Sequence, residues 1–300
     1  MNFPSISLLL PTRGRQALVD RLFRSIGETT IHLDRVEVIL YDDDDDDDTD
    51  SHHLDSEDIH VVRIIGPSLS MGGYNSACLA QSQGDIIILI NDDMVIGTYG
   101  WDEKIVDLDA SIPDKIYLAY GNDLFKKGNL CTFPILSRRT CDLLVEPYPN
   151  EYQGAFIDYH LFDIFKRLQH AGFDRIRYMS DVVFEHLHYR TGKAPFDETY
   201  GNRGRFADDP AFLTLIESRR ESANCLLRVL RGDTQSKYVP SPRAKKPSPT
   251  SLFGAIVSFS KDLLMDRDLS LGWRTYLWAW FIGRYMAGRG MLKPFVHLQD

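Results

Sequence analysis

The chain is 300 residues long, which suits one large α/β domain or two smaller ones. Hydrophobic residues at 43% and charged residues at 26% exclude wholesale disorder. The 34 Lys and Arg against 43 Asp and Glu give a net charge of −9, which excludes a general DNA or RNA coater with its basic footprint, so no nucleic-acid partner is expected. The four cysteines, Cys78, Cys131, Cys141 and Cys225, form no CxxC and have no zinc-module spacing. Reduced, buried thiols of a cytoplasmic protein are the expectation. The opening MNFPSISLLLPTRGR has no basic region before its apolar run, so no signal peptide is expected. There is also no run of about 18 uninterrupted apolar residues to make a membrane span.

In chain order, Ile6–Leu10 is a short apolar run typical of a buried strand, ended by Pro11. Gln16–Ile26 has helical spacing, with Leu18, Leu22, Phe23 and Ile26 on one face. Val36–Leu40 and Val61–Ile65 read as strands, Tyr74–Gln83 as a helix, and the stretch from Asp85 to Ile90 as the most apolar strand. Ile116–Tyr120, Thr132–Leu136 and Arg175–Phe184 are further strands. Ala155–Ala171 is an amphipathic helix stopped by Gly172, and Pro210–Leu230 is a helix followed by Gly232. Continuous Ile, Leu and Val strands separated by helices predict a parallel sheet covered on both faces. Ligands of such sheets bind beyond the C-terminal strand ends, and the polar clusters of this sequence fall at those ends.

The first cluster, Pro11 to Arg15, joins a strand to a helix N-terminus, where free backbone N–H groups and the guanidinium groups of Arg13 and Arg15 suit an anion. The second is Tyr41 followed by seven aspartates, Asp42 to Asp48. Mutual repulsion leaves most of these solvated, but Asp42 and Asp43 sit nearest the strand end. A calcium loop is a rival reading, although the EF-hand pattern is missing. The third is Asn91-Asp92-Asp93. Two carboxylates ending a buried strand call for a partner, and Mg²⁺ or Mn²⁺ is the economical one. A helix N-cap role would account for only one of the two. The fourth is Asp158, beside an apolar helix face that can raise its pKa and make it a base, against the simpler reading of a solvated helical Asp. The fifth is Glu185-His186-Leu187-His188, whose two imidazoles point the same way on a strand and are either structural or metal-ligating.

Taken together and in order, these segments resemble family 2 glycosyltransferases, over roughly residues 5–190. LLLPTRGR is similar to the family's first-strand PTxxR segment, and VEVILYDDDD to the strand whose acidic pair contacts the nucleotide base. MGGYNSACLAQSQGDIIILINDDM resembles the stretch from an Asn-bearing helix to the DxD-type metal site. GAFIDYHLFDIFKRLQHAGF resembles the helix carrying the catalytic base, and DVVFEHLHY the strand with a metal-side histidine. The resemblance implies an α/β fold of the GT-A type. That fold is a Rossmann-like, mostly parallel central sheet flanked by helices, here with a helical C-terminal extension. It implies an inverting transfer of sugar from a UDP-, GDP- or dTDP-linked donor to a glycan or lipid-linked acceptor. Thr12, Arg13, Asp42, Asp43, Asn75 and Asp92 would bind the nucleotide sugar. Asp93, with His186 and His188, would hold Mn²⁺ or Mg²⁺, and Asp158 would be the base. The metal motif departs from the family in reading Asn-Asp-Asp, and Ile157 and His160 stand where the helix usually has acids.

Rivals are a nucleotide-sugar or cation-binding protein without turnover, a nucleotidyltransferase, and a calcium scaffold built on Asp42 to Asp48. The nucleotidyltransferase would need a glycine-rich phosphate loop that TRGRQ lacks. Charge divides the chain. From Gln235 to Asp300 there are ten Lys and Arg and four Asp, leaving −15 on residues 1–234. The organisation expected is therefore a catalytic domain at 1–233, a Pro/Ser/Lys-rich linker at 234–251 and a helical aromatic and basic segment at 252–300. Trp273, Trp278 and Trp280 among arginines suit either a membrane interface, placing the protein on the inner face of a membrane, or packing on the catalytic domain or another subunit.

Overall fold

The computed structural model describes residues 5–45, 58–144, 146–188, 192–193, 204–233, 246 and 248–292. Its centre is an eight-stranded sheet. The strands are β1 (Ile6–Thr12), β2 (Val36–Asp43), β3 (His60–Gly66), β4 (Ile86–Leu89), β5 (Met94–Ile96), β6 (Leu118–Asn122), β7 (Pro134–Ser137) and β8 (Ile176–His186). They lie in the order β3-β2-β1-β4-β7-β6-β8-β5. The first half, β3-β2-β1-β4, is wholly parallel. Beyond it β7 runs antiparallel to β4 and β6, β6 and β8 are parallel, and β5 is antiparallel to β8. The expected GT-A type α/β architecture is present, with a sheet that turns mixed in its second half.

The inner strands β1, β2 and β4 are buried on both faces because both faces are covered. Ile6, Leu8 and Leu10 of β1 join one core with Val38 and Leu40 of β2 and Ile86 and Ile88 of β4. Leu9, Ile39, Ile87 and Leu89 join the other. Helices α1 (Gln16–Thr29) and α3 (Trp101–Ser111) cover the first face through Val19, Leu22, Phe23, Ile26, Trp101 and Ile105. The second face carries α2 (Met71–Gln81), α4 (Arg138–Leu144), α5 (Ile157–His170) and the helices that follow. Pro11 is tolerated inside β1 because it lies past the pairing with β4, which ends at Leu9↔Leu89, so its missing N–H is not required there.

The helix expected at Pro210–Leu230 is broken at Leu215 into α6 (Asp209–Thr214) and α7 (Ile216–Leu230). Gly172 ends α5 at φ 93°, and Phe173 N–H reaches back to Leu168 O at 2.9 Å, the C-terminal cap the sequence suggested. Most of the Pro/Ser/Lys-rich stretch at 234–251 lies outside the described residues. After it come α8 (Leu252–Phe259), a π-helical turn (Ser260–Leu264) and α9 (Leu271–Gly288). These pack on the rest of the fold: Ala255, Phe259, Leu263, Leu277 and Phe281 share one core with α5 and α7. Of the two readings of the tryptophans, their contacts fit packing on the protein. The Trp273 indole donates to Asp163 at 2.9 Å, that of Trp278 to Ser260 at 3.0 Å, and Trp280 stacks on Tyr159 at 4.4 Å.

Candidate active site

Parallel register brings the first acidic pair to the sheet edge. Thr12 of β1 stands opposite Asp42 of β2, and Asp42 and Asp43 are fully buried. Buried carboxylates need charged or hydrogen-bonding partners, and these have them. Arg63 Nε of β3 donates to Asp42 at 2.6 Å. Tyr74 Oη of α2 donates to Asp43 at 2.6 Å, and Arg13, half exposed, bridges Asp43 and Asp45. Burial, followed by the hydrogen bond to Asp43, raises the Tyr74 phenol above its ordinary value. Asp44 and Asp45 are exposed, and Asp46, Asp47 and Asp48 lie outside the described residues.

The second pair follows β4. Asp92 is 6% exposed and Asp93 4%. Arg15 donates to Asp92 at 2.9 Å and Thr12 Oγ1 at 3.1 Å. Burial pushes the Asp92 carboxyl up; Arg15 opposes that, and the neighbouring Asp93 adds to it. A guanidinium therefore serves Asp92 where the sequence suggested a cation shared by both carboxylates. Asp93 is set apart by a different piece of register. The antiparallel pairing of β5 with β8 places Met94 opposite His186, and Leu187 N–H donates to Asp93 O at 2.9 Å. His186 Nε2 thereby comes to 3.2 Å from Asp93 Oδ2.

His186 Nδ1 is buried with no hydrogen-bond partner among the described residues. His188 lies next to it: its ring stacks on Phe125 at 5.9 Å and meets the His186 ring edge-on at 5.1 Å. Among the described residues no three His, Cys, Asp or Glu side chains gather into a metal cage. Asp93 and His186 do fit part of one. A carboxylate oxygen and an imidazole nitrogen suit Mn²⁺ better than the oxygen-seeking Mg²⁺, with a substrate's phosphate oxygens completing the shell. Asn75 is buried in α2, where its amide donates to Met71 O at 2.9 Å; no bond joins it to the acidic pairs.

Asp158 is the second residue of α5. It is half buried and accepts the Tyr159 N–H at 2.8 Å. Burial pushes its pKa up to about 6, against the pull of that hydrogen bond and of the nearby His186 and Lys126 charges. His186 thus links the base candidate electrostatically to Asp93. The approach to α5 is tightly specified. Phe156 holds φ 72°, a left-handed conformation costly for a residue with a Cβ, with its ring packed on Phe212, Trp280 and Phe281. Asp208 receives the N–H groups of Gln153, Gly154 and Ala155 at 2.8, 2.9 and 2.7 Å. Gly72 lets α2 approach this loop: a Cβ there would lie 1.9 Å from Pro149 O.

Sequence reasoning missed Arg63, Tyr74, Asp123 and Asp208 and did not pair Arg15 with Asp92. Asp123 is buried and folds the loop after β6 around its carboxylate, accepting from Phe125, Lys126, Lys127 and Thr132. Its backbone O accepts the His186 N–H. Asp208 carried a usable signal, since an acid before Asp-Pro marks a helix start, but its true partners are 55 to 53 residues away. A cavity of about 290 Å³ lined by Ile6, His32, Arg35 and Asp102 lies at the opposite end of the strands, away from all these groups.

A curled, mixed sheet between helix layers, with acidic pairs at the C-terminal edge of its parallel half, is the nucleotide-sugar transferase fold of GT-A type. Residues 7–122 match the model of glycosyl transferase family 2, in accord with the motif resemblance. Among solved structures, the mannosyltransferase PcManGT from Pyrobaculum calidifontis, in complex with GDP-Man and Mn²⁺, is 13% identical. It matches over 96% of this chain and 88% of its own, with TM-score 0.52. TarS of S. aureus is 13% identical over 95% of this chain and 54% of its own, with TM-score 0.53. A mycobacterial protein is 18% identical over 72% and 75%, with TM-score 0.50. At these identities the likeness is one of fold. No curated protein matches the sequence.

Proposed function

We propose that the chain transfers a sugar from a nucleoside-diphosphate donor to an acceptor hydroxyl with inversion at the anomeric carbon, Asp158 acting as general base. The observation that carries this reading is a carboxylate with its pKa raised by burial to about 6 that feels the charge of His186, which is itself paired with Asp93. A base and a diphosphate-side pair within electrostatic reach of each other are what a single displacement requires. The acceptor oxygen attacks the anomeric carbon from the side opposite the diphosphate and gives its proton to Asp158 Oδ, while the bond to the diphosphate oxygen breaks. No covalent enzyme intermediate is needed.

Thr12, Arg13 and the Asp42–Asp43 edge are read as the nucleoside end of the donor site, with Arg15 and Asp92 beneath the diphosphate. A divalent cation held by Asp93 and His186 would supply positive charge to the departing diphosphate. Mn²⁺ is favoured as a first trial because PcManGT holds it with its donor. Asn75 and His188 are read as neighbours that order these groups. The acceptor is read as a glycan or lipid-linked glycan, with the chain at a membrane surface on the cytoplasmic side.

The test is a thermal-shift panel of UDP, GDP, dTDP and CDP, each with and without Mn²⁺. A ligand at 100 times its Kd stabilises by about 2.7 kcal/mol. One diphosphate stabilising only with metal supports the reading and names the donor class. If metal alone shifts melting while no nucleotide does, the donor site is misassigned.

A further inference from the structure

With its tryptophans packed against the protein, α9 is a poor membrane face. The C-terminal extension has another. Phe253, Ile256 and Val257 follow the i, i+3, i+4 spacing that places them on one side of α8, and they are 76%, 37% and 53% exposed. The opposite side of the same helix, through Ala255 and Phe259, is buried in the core. Helix α8 is therefore apolar on both sides, and a helix apolar all round is normally covered all round. Met265, 70% exposed, in the turn and Leu271, 64% exposed, at the start of α9 add further bare apolar side chains.

The charges of this segment are unequally engaged. Lys261 and Arg267 are exposed. The acids of the segment are engaged by cations of the protein: Asp262 with Lys246 at 2.8 Å, Asp266 with Arg167 at 2.8 Å and with Arg220 at 3.2 Å, and Asp268 3.8 Å from Arg220. The extension thus presents bare apolar side chains together with two exposed cations on a chain that is otherwise strongly acidic. Two copies meeting isologously through this face would bring like charges together. An anionic lipid surface satisfies both features, the side chains entering the headgroup boundary and the cations meeting the headgroups. No helix among the described residues is long and apolar enough to cross a membrane, so the contact is one of surface.

We infer that α8 and the turn after it dock the protein on anionic membranes, through Phe253, Ile256, Val257, Met265 and Leu271 with Lys261 and Arg267. This deepens the membrane-surface reading given above, and it is tested apart from the transfer reaction because binding is measured without donor or acceptor.

The experiment is co-sedimentation of the full chain with phosphatidylcholine vesicles, with and without phosphatidylglycerol, at low and high salt. The expected result is binding to the anionic vesicles alone, weakened by salt. Phe253→Ser with Val257→Ser, and separately Lys261→Glu with Arg267→Glu, should each weaken that binding by about tenfold or more. These side chains are exposed, and unchanged melting temperatures will confirm that both variants fold. Failure of the wild type to bind anionic vesicles overturns the inference, as does binding that the variants retain. A wild-type dimer in light scattering that Phe253→Ser with Val257→Ser converts to monomer, without vesicle binding, assigns the face to a second copy instead.

Discussion

Asp93 Oδ2 and His186 Nε2 lie 3.2 Å apart, although 93 residues separate them in the chain. The short pairing of β5 with β8 creates the contact, so the two groups are held by backbone register rather than by a flexible loop. A mixed oxygen and nitrogen pair of this kind holds a divalent ion only with help from a substrate's phosphates. His186→Ala should therefore raise the Mn²⁺ concentration needed for half-maximal donor binding by about 10–100-fold, the range seen when a group supporting a metal ligand is lost. Titrating Mn²⁺ at fixed nucleotide by calorimetry checks this. Unchanged metal dependence would remove His186 from the metal side of the site.

Asp158 predicts opposite effects on rate and stability. As a base it must be ionised, so kcat/KM should fall as pH drops through about 6. Its folded pKa is raised from 3.8, so between pH 3.8 and 6 the folded state binds the proton more readily than the unfolded chain, and stability falls as pH rises through that window. The ionised carboxyl then costs up to about 3 kcal/mol at neutral pH, less whatever solvent reaches it. Asp158→Asn should lower kcat by about 10²–10⁴-fold while raising the melting temperature at pH 7. The two melting curves should converge below pH 4. A variant with full transfer would remove Asp158 as the base.

The parallel half of the sheet and its acidic ends were legible because doubly covered strands leave unbroken apolar runs, as in β4, and because strand ends mark where polar groups converge. What escaped were features defined by distant partners. Strand β5 is three residues long and exists through its pairing with β8. Helix α3 carries four acids and a lysine among its eleven residues, and its buried apolar residues are only Trp101 and Ile105, so its apolar face reads weakly. Arg15 and Asp92 are 77 residues apart, so the neutralising guanidinium could not be assigned by spacing. The aromatic tail left two readings open for a related reason. Periodicity shows that a helix has an apolar face but not what lies against it, and Trp280 found Tyr159 where a lipid surface was also reasonable.

Asp208 should act on the reaction without touching it. Its carboxylate collects three consecutive N–H groups of the loop that leads into α5. Its removal frees the Phe156 turn, whose left-handed backbone the surroundings must enforce. Asp208→Ala should lower kcat by about tenfold or more through misplacement of Asp158. Donor affinity should be unchanged, because Asp93 and His186 are held by other elements. The pH at which kcat/KM falls should also move down toward the ordinary carboxylate range as Asp158 gains solvent. Asp208→Asn, which keeps an acceptor oxygen, should restore part of the rate. A variant that loses stability but keeps the wild-type pH profile would show Asp208 to be structural only.

The C-terminal helices are fastened to α5 by a buried charge network, and it sets the acid limit of the fold. Asp163 accepts from Arg219 at 2.8 Å, from Arg167 at 3.1 Å and from the Trp273 indole at 2.9 Å, and Arg167 reaches on to Asp266. Burial acts to raise the Asp163 pKa, but the two guanidinium groups and the indole outweigh it and hold the carboxyl at about 2. A carboxyl depressed on folding stabilises the protein above its unfolded pKa, here 3.8, and that stabilisation is lost as pH falls through about 2. Asp163→Asn should destabilise the protein by about 3–5 kcal/mol at pH 7, since it leaves two buried cations short of a partner. The gap from the wild type should narrow as pH approaches 2. Because Trp273 is one of the partners, the variant's tryptophan emission should shift red before global unfolding, reporting release of α9 from α5. Coincident fluorescence and circular dichroism transitions would show instead that the extension and the sheet unfold as one unit.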